Sequence, residues 1–137
     1  MADKFVGAPY PIVKTARGFF QKTKGVNSIR ADLLALFLTN PGERVMLTTL
    51  GILLNRYVLD PNDPTTAEAV REAIIRAINT WEPRITVEQI EVTNSLDEDS
   101  LNPEDLKEDT QHILSIKVRF FDPEDIQDVQ ELVLEVP

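Results

Sequence analysis

From Thr65 to Val92 the chain reads TTAEAVREAIIRAINTWEPRITVEQIEV, and its hydrophobic period changes once within that stretch. Val70, Ile74, Ile78 and Trp81 fall at intervals of four, four and three, lining one face of an α-helix. Glu72 and Arg76 stand four apart on another side, spaced for an ion pair along the helix surface. Thr65 and Glu68 have capping-box spacing, which places the helix start at Thr65. Pro83 forbids continuation and drives Glu82 toward extended geometry. Beyond it, Ile85 and Val87 share one parity while Ile90 and Val92 share the other. A strand over residues 85–93 is therefore expected to carry a bulge near Glu88 and Gln89.

Two further strands follow from strict alternation. Leu114, Ile116, Val118 and Phe120 alternate with Ser115, Lys117 and Arg119, and Leu132, Leu134 and Val136 alternate with Glu131, Val133 and Glu135. An antiparallel sheet covered on one face is the expected result, with Lys117 and Arg119 facing Glu131 or Glu135. On the N-terminal side, Ile29, Leu33 and Phe37, flanked by Leu34, Leu36 and Leu38, predict a helix over residues 29–39 that is buried on most of its surface. Asn27 or Ser28 is its expected cap, and Asn40-Pro41-Gly42 its stop. Residues 43–47 are compatible with a short strand, residues 50–54 with a short helix or turn, and residues 60–64 are a break. The fold class is α+β: two main helices packed on a small, mainly antiparallel sheet with an exposed C-terminal edge strand. Residues 1–27, interrupted by Pro9 and Pro11, form an extended arm or short strand, and residues 28–137 form a single domain.

Composition narrows the chemistry. The chain has 137 residues, 42% of them hydrophobic, and no cysteine, so it needs no staple and offers no thiolate for a metal or a nucleophile. No run approaches a membrane span or a secretory leader, which points to folding in a cytoplasm and to no membrane partner. The formal net charge of -9 is unevenly spread: residues 1–81 carry a net +3 and residues 82–137 a net −12. So acidic a second half repels phosphate, which argues against a nucleic-acid partner. The first 30 residues hold six Lys/Arg against Asp3 alone, so this arm either meets an acidic protein surface or keeps a terminus soluble.

Catalytic arrangements find little support. His112 is the only histidine, beside an acidic connection over residues 94–111, and Asp97-Glu98-Asp99 lacks the spaced ligands and central glycine of a calcium loop. Gly42 and Gly51 do not make a phosphate cradle. No cofactor is indicated. A glycosidase would need two carboxylates flanking a sugar, and Glu43 and Glu82 are the best placed. Each has a basic neighbour, Arg44 or Arg84, and an arginine favours the ionised form, the reverse of what a general acid requires. A salt bridge or a docking contact is the expected use of both pairs. In Trp81-Glu82-Pro83-Arg84-Ile85, Glu82 and Arg84 are expected to project from a stiff corner held by Trp81 and Ile85. Such presentation suits protein recognition because little freedom is lost on binding, although a local helix cap would use the same residues.

Several segments together resemble a known family. They are Gly18-Phe19-Phe20, a buried helix, Asn40-Pro41-Gly42-Glu43-Arg44-Val45-Met46-Leu47, then Gly51 and Leu53-Leu54, and a helix ending in Trp81-Glu82-Pro83-Arg84-Ile85-Thr86-Val87. In this order they resemble the baseplate wedge family of contractile phage tails, with its protein-W-like members, bacteriocin sheath initiators and type VI secretion counterpart. Thr48-Thr49-Leu50 departs from the proline and aromatic residue that many relatives carry there. The resemblance implies a non-enzymatic structural subunit in the virion tail baseplate, assembled in the bacterial host cytoplasm. It implies that Glu82, Pro83 and Arg84 contact the core bundle of other wedge proteins, and that Glu43 and Arg44 belong to a partner-binding family motif. Sheath terminal arms would add to the edge formed by Val129, Glu131, Val133 and Glu135, and the tail tube or hub is a further candidate partner. Some relatives were once described as lysozymes, so the glycosidase is the alternative. For the edge itself the residues supply a mechanism: an uncovered strand exposes unpaired N–H and C=O groups, and its glutamates favour a basic partner.

Overall fold

The computed structural model describes residues 6–61, 63–96 and 112–136. In chain order these form β1 (Val6–Gly7), β2 (Thr23–Lys24), α1 (Val26–Leu38), α2 (Asn55–Val58), α3 (Pro64–Trp81), β3 (Thr86–Leu96), β4 (His112–Asp122) and β5 (Asp125–Val136). The fold is α+β, with a two-stranded sheet β1-β2 and a three-stranded antiparallel sheet in the order β3-β4-β5.

Alternation in β4 has its full physical consequence. Leu114, Ile116, Val118 and Phe120 are 0% exposed, because this strand is central and its even face meets the helices. Val70, Ile74 and Ile78 on α3 and Ile29 and Leu33 on α1 close the same core. On β5, Leu132, Leu134 and Val136 are buried while Glu131, Val133 and Glu135 face out. The register of β3 on β4 shifts between Val87 and Gln89, so the bulge falls at Glu88 as the parity change requires. Lys117 reaches Glu131 at 3.7 Å, but Arg119 turns to Glu88 at 3.4 Å. The bulge brings that carboxylate within reach.

Several boundaries differ from expectation, each for a backbone reason. Helix α1 starts at Val26 with no side-chain cap, since Gly25 at φ 58° turns the chain from β2 directly into the helix and its carbonyl accepts from Ser28 and Ile29 N–H. Neither Asn27 nor Ser28 caps it. Helix α3 is capped by Asp63, whose carboxylate accepts the Thr66 N–H at 2.7 Å, with Pro64 at the first helical position where no donor is missed. Glu68 pairs with Arg71 in place of a capping box, while Glu72 and Arg76 do meet, at 3.9 Å. Residues 43–47 form no strand; having no neighbour to pair with, they are an exposed loop closed by Gly42 N–H donating to the Thr48 carbonyl at 2.7 Å. Strand β5 begins at Asp125, earlier than its alternation shows, because Asp122 accepts the Glu124 N–H at 2.9 Å and tightens the hairpin around Pro123 and Glu124. Trp81 is half-buried at the edge of the core. Asp97, Glu98 and Asp99 lie outside the described residues.

Candidate functional site

Where α3 ends, Glu82 N–H still donates to the Ile78 carbonyl at 2.7 Å, and Pro83 then diverts the chain into β3. This reversal brings Glu82 and Arg84 onto one another. Arg84 Nε donates to Glu82 Oε1 and Arg84 Nη2 to Glu82 Oε2, each at 2.5 Å, a two-pronged pairing of guanidinium and carboxylate. Nη2 also donates to Asp32 Oδ2 on α1 at 2.6 Å. The Glu82 hydrogen bonds, helped by Asp32, hold the Arg84 guanidinium firmly in its charged form and raise its pKa.

Glu82 does not project from the corner as its sequence setting suggests: it is 4% exposed. A carboxylate left that dry without a partner would cost several kcal/mol, on the order of 3–5 by the cost of breaking buried pairs, so the fold turns it onto Arg84. The corner shows solvent the Pro83 ring, part of the Arg84 fork and the outer side of Asp32, with Ile85 buried behind it. Asp32 was not among the sequence candidates, though it had a signal: it is the only acidic residue between Asp3 and Glu43, set in an otherwise apolar helix.

The second motif is built differently. Asn40-Pro41-Gly42-Glu43 makes a type II turn, with Pro41 second, Gly42 third at φ 95° and Glu43 N–H donating to the Asn40 carbonyl at 3.1 Å. The Glu43 carboxylate accepts from Asn40 N–H at 3.0 Å and from its Nδ2 at 2.8 Å, so its partner is Asn40 and not Arg44. Those bonds, the side-chain one foremost, hold Glu43 below the usual carboxylate range. Arg44 lines an open pocket of about 260 Å³ with Asp32, Leu50, Trp81 and Glu82, which brings the two motifs to one side of the molecule.

Neither carboxylate is arranged as a glycosidase acid. Both Glu82 oxygens accept from Arg84, and Glu43 is held ionised, whereas proton donation to a leaving group needs a carboxyl kept neutral. Among the described residues no group of three or more His, Cys, Asp or Glu could hold a metal ion, and no helix is long and apolar enough to cross a membrane.

The sheet edge completes the surfaces of interest. Among the described residues β5 pairs with β4 on one side and with no strand on the other. Val129, Glu131, Val133 and Glu135 are all exposed along it, Val133 at 50%. On β3, the opposite edge strand, the bulge breaks the regular spacing and Arg71 Nε donates to the Ile90 carbonyl at 3.1 Å.

This architecture recurs in solved structures. A crystal structure from Geobacter sulfurreducens, described as that of a candidate tail lysozyme, matches at 23% identity and TM-score 0.57 over 79% of this chain and 86% of the other. A subunit of the anti-feeding prophage baseplate, a six-fold symmetrised cryo-EM structure, matches at 15% identity and TM-score 0.62, covering 96% of this chain and 83% of that one. The postcontracted baseplate of pyocin R2 gives 21% identity and TM-score 0.52, with 91% and 96% covered. No curated protein matches the chain. A family model described as baseplate wedge protein gp25 matches residues 23–120, well over half of the sequence, and the chain belongs to that family.

Proposed function

We propose that this baseplate wedge protein is a structural joint: it docks on the core bundle of neighbouring wedge proteins through the Glu82-Pro83-Arg84 corner and starts sheath assembly by strand addition along β5. The observation that carries the reading is the regular outer edge of β5, which no strand among the described residues covers, in a chain of this family. An edge strand is a template for a partner strand, and a protein that leaves one uncovered risks random association unless a dedicated partner arrives. Glu131 and Glu135 discourage pairing between like copies and favour a basic incoming strand. The corner suits docking because the Arg84 network has already fixed its side chains, so little entropy is lost on contact. Glu43 and Arg44 belong to the same side, with Arg44 beside the corner in the shared pocket. The tail tube or hub is a further neighbour on this reading, and assembly takes place in the bacterial host cytoplasm.

On this reading the chain is not an enzyme. The related structure described as a candidate tail lysozyme favours the alternative, and the bonding of Glu43 and Glu82 opposes it. Purified protein is expected to leave peptidoglycan intact; hydrolysis that disappears in a Glu43→Gln/Glu82→Gln variant would reverse the assignment. The joint itself is tested by a side-chain-resolution reconstruction of the assembled particle. A fourth strand, contributed by a sheath subunit and hydrogen-bonded to β5, is the expected result. An edge sealed by this chain itself, or left bare beside assembled sheath, would refute strand addition.

A further inference from the structure

The N-terminal segment is an ordered hairpin, although a basic terminus could have been a soluble tail. Its base is the pair Val6↔Lys24 and Gly7↔Thr23, with Thr23 Oγ1 donating to the Gly7 carbonyl at 3.3 Å. Gly7 lies so close to α1 that an added Cβ would come 2.3 Å from Ser28 Oγ, which fixes the hairpin on the domain. Its far end is a second reversal: Lys14 bridges Phe20, Gln21 N–H donates to the Val13 carbonyl at 2.9 Å, and Gly18 N–H donates to the Thr15 carbonyl at 2.9 Å. This ordered tip carries Ile12 at 67%, Phe19 at 73% and Phe20 at 69% exposed. Lys14, Arg17 and Lys22 are exposed around them, and residues 6–24 contain no Asp or Glu.

Folded monomers rarely leave several large apolar side chains of one short reversal in water, and such exposure interspersed with charge of one sign marks an interaction site. We propose that the tip, residues 12–22, is a separate docking surface whose partner is an acidic protein surface with an apolar cleft for the two phenylalanines. The hairpin is preformed, so binding orders little chain, and the cations steer an acidic partner and exclude a basic one. Basic and aromatic side chains also suit single-stranded nucleic acid, but the acidic second half of the chain repels phosphate and favours a protein. This surface is additional to the corner and to β5, and it rests on the baseplate reading only for the choice of partner in the test.

The test co-expresses the full chain with the wedge proteins encoded beside it and measures their capture across a salt series. Phe19→Ser/Phe20→Ser and Lys14→Glu/Arg17→Glu/Lys22→Glu are each expected to weaken capture by about thirtyfold, the effect of losing a hot spot. Wild-type capture should fall as salt rises, and the denaturation midpoint of both variants should stay at the wild-type value because the altered side chains are exposed. Capture by both variants at the wild-type level, with loss only in Arg84→Ala, would overturn the hairpin surface and leave the baseplate reading standing. Tight wild-type binding of a single-stranded DNA oligomer that the variants lose would replace the protein partner with nucleic acid. Concentration-dependent self-association lost in the variants would replace it with a second copy. A wild-type chain that captures no wedge protein would end both this proposal and the docking reading above.

Discussion

The charged corner and the β5 edge are opposite solutions to presenting polar groups. At the corner the chain satisfies itself: Glu82 is buried, both its oxygens accept from Arg84, and Asp32 accepts from the same Nη2 that bonds Glu82. Along β5 nothing in the described residues pairs the outer edge, and Val129 and Val133 stand exposed between acidic neighbours. A surface of the first kind fixes an angle between rigid bodies, since its shape exists before contact. A surface of the second kind adds a strand, since its main-chain groups are complete only after contact. On the proposed reading, a joint that holds one partner and nucleates another has use for both.

The comparison breaks most completely in β4, which supports both regions through the core. Phe120→Ala removes the largest fully buried side chain and is expected to cost ~3–5 kcal/mol, read as a lowered denaturant midpoint. Trp81→Ala should cost less than Phe120→Ala, because its ring is only half-buried beside the corner. Equal losses would mean that the corner is part of the core.

Next in size is the corner itself. Arg84→Ala strands the buried Glu82 carboxylate and is expected to cost ~2–4 kcal/mol, below the usual figure for a buried pair because Arg84 and Asp32 keep some contact with water. A loss no larger than that of an exposed pair would show that Glu82 finds another cation.

Smaller still is the far end of α3. The Thr66 N–H bond keeps Asp63 below the usual carboxylate range. A lowered pKa stabilises above the unfolded value and is lost as pH falls through the folded one. Protection of the first-turn amides of α3, measured relative to intrinsic exchange at the same pH, should fall in acid, and in Asp63→Ala already at neutral pH, while the corner at the other end keeps its protection. Fraying that spread to Glu82 would show that the corner depends on the whole helix.

What could be read from the chain alone follows from which interactions are local. The two-residue period of β4 and the three-and-four spacing of α3 are local and survive in the fold, as does the bulge that the parity change around Glu88 requires. The start of α1 was hidden because a backbone angle at Gly25 sets it, not a capping side chain. Residues 43–47 had strand composition, but composition does not supply a neighbouring strand. Asp32 was missed because its bond to Arg84 spans 52 positions, and no spacing rule reaches that far. The corner was legible as a place and not as a state: Pro83 locates it, and only the packed structure shows Glu82 turned inward.

The smallest expected effect on stability belongs to β5, and it best separates the two regions. Removing residues 129–137 would not isolate the edge, because Leu132, Leu134 and Val136 belong to the core and the domain would fail with them. Glu131→Lys/Glu135→Lys alters only the outward face. Glu131 loses its 3.7 Å contact with Lys117, a half-exposed pair worth ~0.2–1 kcal/mol, so the denaturation midpoint should barely move. Sheath recruitment onto baseplates carrying this variant should nevertheless fall sharply, since an acidic edge selecting a basic strand would now repel it. Full sheath on such particles would mean that main-chain pairing alone carries the edge. Sheath lost together with stability would mean that β5, like the corner, is held by its own chain.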